Sequence, residues 1–546
     1  MKILFKKYIA IFIDVTFILY GWQYMFDFER SQKREAPSMR YFIIKSLIVL
    51  TFVGTNAAAQ DYEYNLPIKE HIFENGLKLL VIERPGDNRV AAKIWTDMGA
   101  LNEISGEYGA AHFLEHLMFK GTPTLGARDW ETEKPLIDEI NATEKAMIAE
   151  LNRARNDIRE RGVFHDYQHE KTTPEIANLQ KHIDDLERKV EDLTIEGTTM
   201  KWYQGFGGTR LTASTEQEYM HFDIDLPANR VDIFLRIEAD RMTNAIFRKF
   251  DAERMILVEQ RIGFLNRLNS RYLEAMDALV GRTSNVYIPE GYMTDFKNYT
   301  RQYERYLYDT YFIPNNSTLI FVGGVTMDEM IPKVENYFGG LERKPEPTRY
   351  YGQEPLPSGE KRLIYRDNKL SPQVELRYQI PGVGHPDKPH FDVIKEVMRN
   401  RLQKNLDDKE IGGSVNVSTM VVHTNNYGLP SSIHFAAIYE DTEKLDASEE
   451  AMLAEIKLLS EENILDEELK FAQKTLRTQW YRAASDPNRL NFHIGHFEVM
   501  DSWKTLKPYL EARDKTTVED VKRLVKQYFI PDNRTIGKII PRGEGQ

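Results

Sequence analysis

The densest chemistry in this 546-residue chain is the run His112-Phe113-Leu114-Glu115-His116. Side chains four apart on a helix stand one above the other, so the imidazoles of His112 and His116 can both reach one metal ion. Glu115 projects from nearly the same face and would stand beside a water on that metal without binding the metal itself. Such a set suits zinc hydrolysis: two neutral imidazoles and a further carboxylate hold the ion, an open position holds water, and Glu115 moves the proton from that water to the leaving amine. The chain has no cysteine, so thiolate sites, iron-sulfur clusters, disulfides and cysteine nucleophiles are excluded, and a metal must be held by histidine and carboxylate. The same five residues also fit a helix with two surface histidines and an unrelated glutamate; the surroundings separate the two readings.

The elements that must position this run follow from periodicity. A strand at His71 to Phe73, a Glu74-Asn75-Gly76 turn and a strand from Leu77 to Ile82 predict a hairpin, and Val90 to Trp95 predicts another strand before the motif helix. From Trp130 to about Leu193 apolar residues recur at four and seven, as Leu136, Ile140, Met147, Leu151 and Ile158, and then at alternating three and four, as Ile176, Leu179, Ile183, Leu186, Val190 and Leu193. That seam, broken at Gly162 and Thr172-Thr173-Pro174, predicts a helical hairpin inserted over about 130–193, either an arm for a partner or membrane or a surface decoration. Strand and helix patterns resume at Tyr219 to Leu226, Val231 to Met242, Asp251 to about Leu279 and Thr318 to Gly323. A proline-rich linker over 344–360 follows, and the same grammar repeats over 361–546. The expected fold is α+β: two equivalent domains, 60–343 and 361–546, each a sheet covered by helices.

With 84 acidic against 72 basic side chains and a net charge of −12, a chain-wide nucleic-acid surface is excluded as an expectation. Met39 to Gln60 combines Arg40, an apolar core from Leu47 to Val53 and the small residues Ala57-Ala58-Ala59, as a cleaved secretory signal does. Residues 1–59 are therefore expected to be an extension plus signal peptide, with Met39 the true start and the protein exported, most simply to the periplasm. Retention of the N-terminal apolar segments as a membrane anchor is the alternative.

The stretch GEYGAAHFLEHLMFKGT, from Gly106 to Thr122, strongly resembles the pitrilysin, insulysin and mitochondrial processing peptidase family, whose HxxEH is the inverted order of the zincin motif. Similar matches are ENGLKLLVIERP from Glu74, Ala213-Ser214-Thr215 leading to Leu226-Pro227-Ala228-Asn229-Arg230, and FDAERMILVEQR from Phe250. The resemblance implies two homologous domains forming half of a clam-like chamber, zinc in the first domain only, and unfolded peptides held as an added strand on a sheet edge. It also implies a third zinc ligand on the helix ERMILVEQR. There the expected register falls on Gln260, with Glu259 immediately before it and about 100° away around an ideal helix. Glu259 through a local helix adjustment, a weakly binding Gln260, and another carboxylate such as Glu253 are the readings left open; Glu259 is the assigned ligand.

A second departure concerns an arginine and, seven residues on, a tyrosine that family members often carry in the second domain; LDDKEIGGSVNV has Asp407 and Ser414 there. In some bacterial relatives a sister chain supplies them, so a heterodimer with a sister subunit, or a homodimer, is expected. The expected function is an exported zinc metalloendopeptidase acting on oligopeptides. The alternative is a catalytically weak or inactive subunit that binds or activates a partner.

Overall fold

The computed structural model describes Tyr64 and residues 66–161, 173–267, 269–281, 288–348, 355, 357–420, 431–461 and 464–542. The expected signal peptide, Met39, Gly162 and Thr172 lie outside the described residues. Its first half runs β1 (Lys69–Ile72), β2 (Lys78–Glu83), β3 (Arg89–Thr96), α1 (Ala110–Met118), α2 (Trp130–Arg161), α3 (Pro174–Leu193), α4 (Thr198–Gly205), β4 (Thr209–Thr215), β5 (Met220–Pro227), α5 (Val231–Asn244), α6 (Phe250–Leu265), α7 (Ser270–Val280), α8 (Arg301–Tyr311), β6 (Ser317–Gly323) and α9 (Met327–Phe338). The second half runs β7 (Lys361–Arg366), β8 (Gln373–Ile380), α10 (Lys388–Asp408), β9 (Ser414–Met420), β10 (Ser431–Ile438), α11 (Leu445–Glu461), α12 (Asp466–Ser485), α13 (Pro487–Met500), α14 (Leu506–Asp514), α15 (Val518–Tyr528) and β11 (Arg534–Ile540).

The repeated grammar of the sequence appears as repeated topology. One sheet has the order β1-β2-β6-β3-β5-β4 and the other β7-β11-β8-β10-β9, so apart from β1 the same permutation recurs. In each sheet the first strand of the repeat pairs parallel with the last, β2 with β6 and β7 with β11. The α+β class therefore holds, with two helix-covered sheets. Helix α10 occupies the chain position that α1 has in the first half; its histidine, His390, bonds the Thr516 hydroxyl at 2.9 Å.

Each half lends a helix to the other half's sheet. Helix α13 lies across β3 and β6 of the first sheet, and α7 lies against β7, β8 and β11 of the second. The central strands are consequently covered on both faces: every residue of β6 is buried, a pattern of near-continuous apolar sequence rather than alternation. Asn491 of α13, with no exposed surface, donates to the carbonyls of Ala91 at 3.0 Å and Ile320 at 2.8 Å. Gly495 faces the buried Trp95 ring so closely that a Cβ there would lie 2.0 Å from it, which requires glycine.

The inserted hairpin is present as α2 and α3, sealed by Ile140, Ile183, Leu186 and Val190 with Leu136, Ile137 and Met147 against them. Thr173 caps α3 by accepting from the Ile176 amide, with Pro174 in the first turn. The hairpin is tied down at its base: Glu133 and Arg248 form an ion pair with no exposed side-chain surface, and Arg301 pairs with Glu187. Arg248 also donates to the carbonyls of Lys120 and Thr122, in the loop that leaves α1. Among the described residues no helix is long and apolar enough to cross a membrane.

Candidate active site

Helix α1 is set by its apolar stripe. Ala110, Phe113, Leu114, Leu117 and Met118 are buried at the three-and-four spacing of a packed helix, which directs His112, Glu115 and His116 to another side. Gly109 starts the helix at φ +96, and a Cβ there would lie 2.5 Å from the Tyr299 hydroxyl, so both conformation and space demand glycine. The free amides of the first turn are met by Glu103, whose carboxylate accepts from the amides of Gly109 and Ala111, each at 2.8 Å.

The imidazoles of His112 and His116 sit with ring centroids 4.9 Å apart and planes at 80°. Burial, and then the neighbouring His116, push His112 down to about 3, so it is neutral, the state that ligates metal. Its Nδ1 is buried without a hydrogen-bond partner. His116 places Nδ1 3.3 Å from Glu253 Oε2, and Lys120 Nζ lies 2.5 Å from Glu253 Oε1. Burial raises the Glu253 carboxyl, but the His116 hydrogen bond and the Lys120 charge outweigh it and hold it below the usual range.

Glu115 is buried beside the pair, and its Oε2 accepts from the Thr215 hydroxyl at 2.7 Å. Burial raises its carboxyl above the ordinary value, against the opposing effects of His116 and the Thr215 bond. Thr215 ends β4, the outermost strand of its sheet. The structure thus gathers His112, Glu115 and His116, as the sequence predicts, and adds Glu253, Glu103 and Thr215. Glu253 was weighed among the ligands, whereas Glu103 and Thr215 carry no local pattern that announces their contacts.

Glu259 is not brought to the pair. Helix α6 runs unbroken from Phe250 to Leu265, and the side chains of Glu259 and Gln260 are both exposed. Seven residues make nearly two turns, so Gln260 shares the face of Glu253 about 10 Å further along, and Glu259 points elsewhere. Asp407 accepts from Gln403 at the end of α10, and Ser414 is the exposed first residue of β9. Among the described residues no group of three histidine or carboxylate side chains is drawn together as a metal site. These residues fit zinc in part: the neutral His112 imidazole with its unpartnered Nδ1 and the neighbouring His116 suit it, and the third donor is not gathered.

Behind α1 lies a nest of carboxyls. Glu304 is fully buried and neither of its oxygens has a partner; Glu103, Glu107 and Glu144 face it. Burial and the charges of those three keep Glu304 well above the carboxylate range. Burial and Asp295 raise Glu107 to about 7. A carboxyl raised in the folded state favours folding while protonated, so stability is full below the ordinary carboxylate value and is lost as the pH climbs through about 7. The midpoint of thermal unfolding should therefore fall between pH 5 and pH 8. Glu304→Leu should raise it most at the higher pH, where wild type must carry the ionised cluster.

A sequence profile of the family described as insulinase (peptidase family M16) matches residues 78–151, and one described as the peptidase M16 inactive domain matches residues 298–476. The chain is similar to the zinc protease PqqE of Helicobacter pylori, 22% identical over 517 residues that cover 90% of this chain and 97% of that protein. Among solved structures, it is similar to a protease from Helicobacter pylori with a TM-score of 0.68 and 18% identity, covering 87% of this chain and 99% of the other. It is also similar to the periplasmic protease PqqL from Escherichia coli, with a TM-score of 0.64 and 15% identity over 87% of this chain and 48% of that one. At these identities the solved structures speak for the fold alone.

Proposed function

The chain belongs to the pitrilysin-type family of peptidases, and from that premise we propose that it is an exported zinc metalloendopeptidase that cleaves unfolded oligopeptides. The observation that carries the reading is the adjacent, edge-to-face His112 and His116 pair with buried Glu115 beside it, at the end of an outer strand. His112 and His116 would hold zinc, and Glu259 would become the third donor through a local adjustment of α6. Bound zinc would polarise the scissile carbonyl and lower the pKa of water. The protein's own groups do the rest. Glu253 would orient the His116 ring through its hydrogen bond at Nδ1. Glu115 accepts the proton of the attacking water and passes it to the leaving amine. The outer edge of β4 offers main-chain donors and acceptors to an extended peptide, a mode that binds unfolded segments with modest sequence selectivity. Export is supported by the signal-like segment and by the periplasmic setting in the name of the PqqL relative.

The chain spans about half of PqqL, which supports a sister subunit completing the chamber and supplying the groups absent at Asp407 and Ser414. Hydrolysis of a fluorogenic oligopeptide should rise at least tenfold when a family sister chain is co-expressed; a fully active monomer that gains nothing from a partner would refute the heterodimer. A second reading, a non-cleaving subunit that binds or activates a partner, is favoured by Gln260 in the ligand register and by the ungathered third donor.

A further inference from the structure

We propose that Thr215 is the positioning residue of Glu115: its hydroxyl fixes the carboxylate of the base and ties it to the strand edge on which a peptide lies. The proposal rests on the reading of Glu115 as general base. The terminal torsion of a glutamate is broad and roughly two-fold, so an unheld carboxylate samples many orientations. A hydrogen bond to Oε2 at 2.7 Å sets the carboxylate plane and leaves Oε1 in a defined direction to take a proton. Both residues are 8% exposed, and in so dry a place a carboxylate oxygen needs its donor. Among the described residues Thr215 is the side chain that hydrogen-bonds this carboxylate.

The hydroxyls nearby are committed elsewhere. Ser214 donates to Glu216 at 3.3 Å, and Thr212 to the Ala213 carbonyl at 3.3 Å. Alternation along a strand explains the division, because Ser214 and Thr215 point to opposite faces. Register with β5 is regular from Thr212 to Thr215, after an irregularity between Thr209 and Thr212, so the ordered part of the outer strand ends at the residue that holds Glu115. A peptide strand added to that edge would be aligned against the backbone of the same residue whose side chain aims the base. Edge and base would therefore move as one piece.

Thr215→Val keeps the branched shape and removes the donor; Thr215→Ser keeps the donor and removes the methyl. With a fluorogenic oligopeptide, the valine variant should lose about 10- to 100-fold in kcat with KM changed by less than about threefold. Zinc content should match wild type, and the serine variant should recover kcat to within about threefold of wild type. A valine variant within twofold of wild-type kcat, or valine and serine variants equally impaired, would overturn the proposal. Glu115→Gln assayed alongside separates the failures: if it stays active the general-base reading is wrong, and if it is inactive while Thr215→Val is active, only the positioning role is.

Discussion

Glu115→Gln should lower kcat for oligopeptide hydrolysis by about 10³-fold or more, with zinc content and unfolding midpoint unchanged. General acid-base catalysis by one positioned group contributes about 10² to 10⁴, and here one carboxylate serves both proton transfers. The substitution is close to isosteric, and the amide oxygen can still accept the Thr215 hydrogen bond. What it lacks is a lone pair basic enough to take a proton. Burying an amide in place of a carboxylate also removes a charge from a dry site, so the variant should be at least as stable as wild type. Activity within tenfold of wild type would remove Glu115 from the mechanism.

Arg248→Met should cost about 3–5 kcal/mol of stability, the largest effect expected from a residue away from the chemistry. The Arg248 guanidinium and the Glu133 carboxylate have no exposed surface, and the arginine also holds the carbonyls of Lys120 and Thr122. Removing it leaves Glu133 charged and alone in a dry interior. The hairpin's pairs Lys134 with Asp138 and Arg153 with Glu150 should matter far less when broken, because solvent screens them. Replacing both buried partners, Arg248→Met with Glu133→Leu, should recover much of the loss, because an apolar pair of similar volume often matches a buried ion pair. Denaturant unfolding of the single and double variants measures the coupling. The hairpin, by this account, is anchored to the loop that leaves the motif helix, which a freely swinging arm would not be.

Much of this was legible in the sequence because it is local. The three-and-four spacing around His112 places both imidazoles on one face, the Asn75-Gly76 turn gives the β1 and β2 hairpin, and the seam from Leu136 to Val190 gives the inserted helices. The duplication was legible as grammar, and the two sheet orders express it. What escaped depends on partners far along the chain. Helix α13 packs on the first sheet across hundreds of residues, and its run of asparagine, glycine and histidine among apolar residues gives no simple stripe. The helical signal from Asp251 to Leu279 reads as continuous, but the chain turns between Leu265 and Ser270 so that α7 can cover the other sheet. Glu103 caps α1 from the preceding loop, and Thr215 reaches Glu115 from a different strand. The third donor stays the least legible part, because on a regular α6 the assigned Glu259 and the His112 and His116 pair do not face one another.

The central claim, a zinc peptidase built on His112, His116 and Glu115, is tested most directly by the metal content of the purified full chain. About one zinc per chain should survive dialysis, fall with peptidase activity on treatment with a strong chelator, and return with activity on zinc addition. His112→Ala should hold none. A chain that purifies without zinc, takes none up from micromolar zinc and still supports a partner's activity would contradict the claim and establish the non-cleaving subunit instead.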